Sequence, residues 1–411
     1  MNQQDNSLKN DKKKSPNKLV VLIIVFFLTI LLQVADYFLS NFTYPIFDSL
    51  NIIIIKDFIT QKGDAPDKEF IYFNVGLDKE LIPVKDEFGD TIGKTPITDR
   101  KLLTDFLTLL KDSDYKYIFL DIRFDDGTHS QNDSSLFKIM ESLDRFSYST
   151  HRDKEPLITS SLSRKGAYSD FRGYYRDGFI RYEFLQDGKE SSALRMYSTL
   201  NGNNMSKKGP FYFNDSSLAY NMFFIPFYRN DTELLGENGL EKYHYLGYEM
   251  SKDSLLSDIV RDIKGKIVVI GDFENDKHTT YMGNVPGPLL TVRAYQMLEK
   301  TGAKFSWVCF GITSVIYMLI LYVLFVNINL NDKICNIIRI KSRFFVYLIS
   351  LIGWSLILGL VKIALYSWFH LAFTAWLPAL VFSTVSYINS YRVYIEKEKE
   401  KEKKKEKLIQ K

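Results

Sequence analysis

Cysteine is almost missing from this chain, with two residues in 411, Cys309 and Cys335. Residues 40–304 contain none, which excludes both a disulfide framework and a thiolate nucleophile there. Stability of that stretch must come from an ordinary hydrophobic core, and about 265 residues is chain enough to build one. Histidine is scarce too, and His129, His151, His244 and His278 stand in ordinary turn sequence. No G-x-S-x-G occurs, so nucleophilic catalysis has no sequence support. The one glycine-rich candidate for phosphate binding, GDTIGKT, has three residues between Gly89 and Gly93 where a Walker loop needs four. A β-hairpin turn is the better reading of that stretch.

What the chain does have is long apolar runs, unevenly placed. Leu19–Leu39 carries no charge before Asp36 and is long enough to cross a bilayer as a helix. Three further candidates lie at 305–326, 344–366 and 368–388. The first run follows a basic segment, as a signal peptide would, but it exceeds the usual apolar length and no small-x-small cleavage site follows. It reads as a retained anchor. A turn is expected near Tyr366–Ser367, and Pro378 is expected to kink the last span.

Charge gives the orientation. Five lysines precede the first span, Lys333, Arg339, Lys341 and Arg343 lie between the second and third, and EKEKEKEKKKEK follows the fourth. All three segments are cytoplasmic if both termini lie inside. The whole chain has 53 Lys and Arg against 49 Asp and Glu, yet residues 40–304 hold 34 and 40, a net charge of −6. The positive excess belongs to the membrane flanks and is no argument for nucleic-acid binding.

Within the middle, Asn51–Ile59 suits either a helix or a strand. Glu69–Leu77 reads as a strand rich in aromatic and β-branched residues. Thr98 is placed to cap a helix through Asp114, with Leu102, Leu103, Phe106, Leu109 and Leu110 as its apolar stripe. Lys116–Phe124 is a second strand, Asn132–Arg145 a second helix, and Pro156–Ser161 a third strand. That alternation indicates parallel strands. From Ser163 to Tyr248 the pattern weakens, with strands expected around GFIRYEF and YNMFFIPFYR and a helix at SSALRMYSTL. Lys264–Gly302 then reads as strand, polar turn, Pro-Gly corner and amphipathic helix.

The expected fold is therefore an α/β extracytoplasmic domain with a mostly parallel sheet, plus four transmembrane α-helices, one before it and three after it. The expected boundaries are a cytoplasmic flank 1–18, a span 19–39, the outer domain 40–304 and a span 305–326. A cytoplasmic loop 327–343, spans 344–366 and 368–388, and a charged tail 389–411 follow. The tail alternates Glu and Lys without apolar heptad positions, so it is no coiled coil.

This layout resembles the CHASE type-2 sensors (cyclase/histidine kinase-associated sensory extracellular domains). Three stretches carry the resemblance. FIYFNVGL with Arg100 is similar to the family's first strand and the arginine opening a helix, though Asn74 and Gly76 stand at acidic positions and Trp-Pro is absent. YIFLDIRF is similar to the family's strand ending in Asp, with Asp121 in place. GKIVVIG, Thr279–Thr280, Gly283 and Pro286–Gly287 follow the family's last strand and corner, whereas Thr291-Val292-Arg293 replaces its His-Ala-Asn before Ala294. The resemblance implies a multi-pass protein of a bacterial inner membrane that senses an unidentified extracytoplasmic ligand and is not an enzyme. It implies no cofactor, metal or catalytic residue. Such sensors continue into an output domain. This chain runs about 20 residues past its fourth span, fewer than a domain needs, so a separate cytoplasmic signalling protein is expected in trans. Homo-oligomers are a further expectation. A structural scaffold and an extracytoplasmic hydrolase are the alternatives.

Candidate ligand-binding residues follow from position. Asp121, with Asp125, Asp126 and His129 beyond it, lies at the carboxyl end of an inner strand, where open α/β sheets bind ligands. Arg100 and Arg293 open helices, where a cation opposes the dipole and needs a partner, either a buried carboxylate such as Asp121 or an anionic ligand. Asp272, Glu274, Asp276 and His278 alternate, as residues on one face of an extended segment would, and read as a metal site or an acidic surface turn.

Overall fold

The computed structural model describes residues 18–41, 67–124, 129–151, 162–170, 181–233, 243–326, 343–369 and 376–409. Two compact units form, one holding the apolar helices and the other spanning Ser40–Phe305.

The second unit is built on a six-stranded sheet, every pairing of which is parallel. Its strands are β1 (Phe70–Asn74), β2 (Tyr117–Asp121), β3 (Phe146–Thr150), β4 (Gly166–Tyr168), β5 (His244–Tyr245) and β6 (Ile267–Gly271). They lie in the order β5-β1-β6-β2-β3-β4. A parallel sheet covered on both faces favours near-continuous apolar strands. FIYF, YIFL and IVVI meet that requirement and occupy the middle, each fully buried along those four residues.

Helices α2 (Arg100–Lys111), α3 (Asp133–Ser142), α5 (Leu246–Met250) and α6 (Asp253–Ile263) cover one face. Leu103, Phe106, Leu107 and Leu110 of α2 meet Ile71 and Phe73 of β1 and Ile118 and Leu120 of β2 in one core. The opposite face is covered by α4 (Ser192–Asn201), packed on β2 to β4, and by α7 (Gly287–Thr301), packed on β6 and on α4.

Several expectations are sharpened here. Lys79–Lys85 and Thr91–Thr98 pair antiparallel as the expected hairpin. Thr98 ends that hairpin, and the cap of α2 is Asp99, whose carboxylate accepts from Leu102 N. The strand after α3 is β3, since α3 stops at Ser142 and Leu143 is already extended. Pro156–Ser161 and Asn51–Ile59 lie outside the described residues. The irregular region contributes the edge strand β4, the pair Arg181–Glu183 with Met222–Phe224, and a three-stranded meander over 205–219. The polar turn after β6 is itself a hairpin, Lys277–Thr280 with Gly283–Pro286.

The first unit contains α1 (Lys18–Ser40), α8 (Trp307–Phe325), α9 (Arg343–Phe369) and α10 (Trp376–Ile409). Among the described residues, α1 and α8 are long and apolar enough to cross a membrane. The apolar stretches in α9 and α10, Tyr347–Val361 and Leu377–Asn389, are shorter. The expected four spans are thus met by two helices of spanning length. Helix α9 continues through the expected turn at Tyr366–Ser367 to Phe369. Pro378 lies near the beginning of the described part of α10, and residues 370–375 before it lie outside the described residues. Residues from all four helices share one core, including Val25, Leu321, Leu358 and Phe382. Large apolar side chains such as Phe27, Leu31, Trp307 and Leu319 face outward. That inverts the pattern of a water-soluble bundle.

Phe106 is fully buried and its ring centroid lies 4.6 Å from that of Phe73. Phe106→Ala should destabilise the α/β unit by about 3–5 kcal/mol, the range for truncating a buried aromatic. Chemical denaturation of the full chain, followed by tyrosine fluorescence, measures it.

Candidate functional site

The strands end in register, Asn74 beside Gly271 and Gly271 beside Asp121. What lies past that edge depends on two glycines. A Cβ on Gly271 would come within 2.5 Å of Pro288 Cγ and 3.2 Å of Asp121 Cβ, so only glycine lets the start of α7 approach Asp121. At Gly287 a Cβ would collide with the carboxylate of Asp276. The first turn of α7 is thereby seated against two acidic residues.

Between this edge, the Lys79–Thr98 hairpin and the loops after β2, β3 and β4 lies a cleft of about 630 Å³. Its charged and titratable lining residues are Asp121, His151, Asp170, Asp272, Asp276 and His278, with Lys79, Arg100 and Arg123. Its acidic groups differ sharply in how they are satisfied. Asp272 accepts from Asn275 N at 2.9 Å, from the Asn275 side chain and from Lys79 Nζ at 3.0 Å. Burial alone would raise its pKa, but those Asn275 donors and Lys79 outweigh it and hold the carboxyl below the ordinary range. Asp170 meets His151 Nδ1 at 2.7 Å, and Asp276 meets His278 Nε2 at 3.1 Å. Asp121 accepts from Ser149 Oγ. Burial first, and the neighbouring Asp276 second, push its pKa up to about 7 against the opposing Ser149 bond and His151 and His278.

Of the residues singled out from sequence, Asp121 and Arg100 come together in this cleft. Arg100 is 2% exposed. Its partner is Asp133, at the start of α3, with Nε to Oδ1 at 3.4 Å, and its guanidinium lies over the Phe124 ring at 4.4 Å. The ion pair expected with Asp121 is therefore made with Asp133 instead. Asp125 and Asp126 lie outside the described residues, and His129 is exposed and does not line the cleft. In the alternating acidic run, Asp272, Asp276 and His278 line the cleft, whereas Glu274 turns to Asn74 Nδ2 and Tyr245 Oη. No group of three His, Cys, Asp or Glu suited to a metal occurs among the described residues.

Arg293 stands apart from the cleft. It is 1% exposed, and its guanidinium makes two bonds to Asp231, at 3.0 and 2.6 Å, two to Asp67, and one to Gln296 at 2.8 Å. All five donors are used. Burial disfavours its charge, but Asp231 and Asp67 more than reverse that and keep it protonated.

No sequence motif joins Ser149, His151, Ser169 and Asp170. Their signal is local and weak, a run of Ser, Tyr, Ser, Thr and His at 147–151, and it acquires meaning only once β3 and β4 are placed beside β2.

No family model, curated protein or solved structure matches this chain.

Two outcomes are expected. Arg293→Ala leaves Asp67 and Asp231 without their shared cation and should cost about 3–5 kcal/mol, as for a broken buried pair. Thermal unfolding in detergent reads this as a large drop in midpoint. For Asp121, the folded pKa of about 7 exceeds the unfolded value of about 3.9, so the folded state holds the extra proton between those limits. Its contribution to stability is therefore largest below about pH 4 and is lost as pH rises to about 7. Asp121→Asn should flatten that part of the stability–pH curve and raise the midpoint most above about pH 7, measured as thermal midpoint against pH.

Proposed function

We propose that this chain is a membrane-anchored sensor of the CHASE type-2 kind, in which the α/β unit lies outside the cytoplasm and binds its stimulus at the carboxyl-edge cleft. Four apolar helices anchor it, with both termini and the segment 327–343 on the cytoplasmic side, where the Lys and Arg residues concentrate. The signal passes through these helices to a cytoplasmic partner.

The observation that carries this reading is the cleft. It is polar, roomy and located where open parallel sheets hold small molecules. How its state could leave the unit is suggested by the segment Leu218–Asn221. Asn221 N donates to Asn41 Oδ1 at 2.6 Å, just past α1, while Tyr220 N donates to Ala303 O at 2.8 Å and Leu218 O accepts from Phe305 N at 2.7 Å, just before α8. One short stretch thus holds the residues where the chain enters and leaves the α/β unit. Arg181 adds a bond from its guanidinium to Ser40 O at 3.1 Å. A rearrangement of this stretch would act on both connections together. A ligand moves such an equilibrium only through its different affinity for two arrangements.

The test is a thermal-shift screen of small polar molecules on the full chain in lipid nanodiscs. A ligand present at about 100 times its Kd should stabilise the chain by about 2.7 kcal/mol. Asp276→Asn or Lys79→Ala should weaken that shift, and the compound should be recovered unchanged. Turnover of the compound would favour a hydrolase. A stabilising compound indifferent to both substitutions would remove the cleft as the sensing site.

A further inference from the structure

Behind the cleft runs a line of three buried hydroxyls. Ser149 Oγ, bonded to Asp121 Oδ1, lies 2.7 Å from Ser169 Oγ, which lies 2.7 Å from Ser192 Oγ. Ser192 Oγ in turn lies 3.3 Å from the carbonyls of Ala167 and Tyr168. The three serines are 2%, 5% and 0% exposed. The line crosses from β2 through β3 and the end of β4 into the first residue of α4, whose cap is Ser191.

Each hydroxyl has one proton to donate, so such a line has two self-consistent directions. An ionised carboxylate only accepts. With Asp121 ionised, Ser149 donates to Asp121, Ser169 to Ser149, and Ser192 to Ser169. A protonated carboxyl can donate. With Asp121 protonated, the carboxyl donates to Ser149, Ser149 to Ser169, Ser169 to Ser192, and Ser192 to the carbonyl of Ala167 or Tyr168. The only proton gained is the one on the carboxyl, since every hydroxyl keeps its own and rotates.

We propose that Asp121 is a proton-binding site of this chain, and that its occupancy sets the direction of the Ser149–Ser169–Ser192 line and so reports the protonation of the cleft to the first turn of α4. This rests on the sensing reading and names the proton as the ligand of the same cleft. Helix α4 packs against α7, the helix that precedes α8 in sequence, so the end of the line lies on an element placed to pass the change on.

The charged and titratable groups that line the cleft with Asp121 come from every surrounding element. From the sheet side these are His151 after β3 and Asp170 after β4. The loop and hairpin after β6 bring Asp272, Asp276 and His278. Lys79 comes from the Lys79–Thr98 hairpin, Arg100 from α2, and Arg123 from the chain just past β2. Tyr182 is within electrostatic range. Asp276 favours the proton on Asp121, and His151 and His278 oppose it. Lys79 and Arg100 are engaged by Asp272 and Asp133.

The experiment uses the full chain in lipid nanodiscs without added ligand. An infrared difference spectrum between about pH 8 and about pH 5.5 should show a protonated-carboxyl stretch that Asp121→Asn removes. Hydrogen exchange over Leu194–Tyr197, corrected for intrinsic pH dependence, should differ about fivefold between the two conditions, the equivalent of one net hydrogen bond. That difference should vanish in Ser169→Ala, which keeps Asp121 and Ser149 but interrupts the line. No Asp121-dependent band, no exchange difference, or an exchange difference preserved in Ser169→Ala would each overturn the proposal. If Ser169→Ala does not fold, Asp121→Asn decides, since it must abolish the exchange difference. A small molecule that stabilises the chain through the cleft while the Asp121 band is absent would keep the sensing reading and sink this one. The band and exchange response without any stabilising small molecule would leave the proton as the ligand.

Discussion

The constraint on which this fold depends is a parallel sheet buried on both faces. Such a sheet has no wet side on which to carry chemistry. Tyr117 and Phe119 of β2 face one helical layer, Ile118 and Leu120 face the other, and all four are inaccessible to solvent. Polar function is therefore displaced to the strand ends. There the residues just past the apolar run are free to be acidic, as Asp121 is directly after YIFL and Asp272 is one residue after Gly271. Gly271 between them keeps the edge thin enough for the first turn of α7 to close against it.

The same protein resolves two buried ionic problems in opposite ways. Arg293 is taken wholly out of water, and two carboxylates and the Gln296 amide oxygen use every donor it has, so the group has no unspent valence and no reason to change state. Asp121 receives a neutral hydroxyl and stands near a second carboxylate. Its charge is tolerated, not neutralised. A group in the first condition contributes to architecture. A group in the second stays responsive, because a small change around it alters which form is favoured.

How far the sequence reveals this depends on the range of the interaction concerned. Strands β1, β2 and β6 are legible because four successive apolar residues need burial on both sides. Helix α2 is legible because its apolar residues recur at helical spacing. Strands β4 and β5, of three and two residues, carry no pattern of their own and exist because a neighbouring edge accepts them. The site divides similarly. Asp121 can be picked out because it ends an apolar strand, and Arg100 because a cation at a helix start needs compensation, whereas Arg293, expected at a helix start, is the seventh residue of α7. Their partners cannot be read off. Asp67 is 226 residues from Arg293, and Asp133 is chosen over Asp121 by the placement of α3. Ser149 and Ser169 look like ordinary loop polarity until the sheet order sets them side by side.

That order also bears on how a change at the edge could leave the unit. A sheet packed on both sides is a poor carrier of small displacements along itself, since shifting one strand disturbs two close-packed layers. Side-chain hydroxyls are different. They rotate without moving the backbone, and at 2.7 Å spacing each rotation obliges the next. The line ends on α4, whose far end closes on Gly202 in a left-handed turn. Beyond that turn, Asn214 of the meander donates to Gly302 O at 2.6 Å, at the close of α7. The rest of that meander leads to Leu218–Asn221, which holds both connections of the unit. A signal starting as one proton would thus need no deformation of the sheet, only a change in what α4 and the meander prefer. The stiff part of the fold could stay unchanged while its edge and its connections responded.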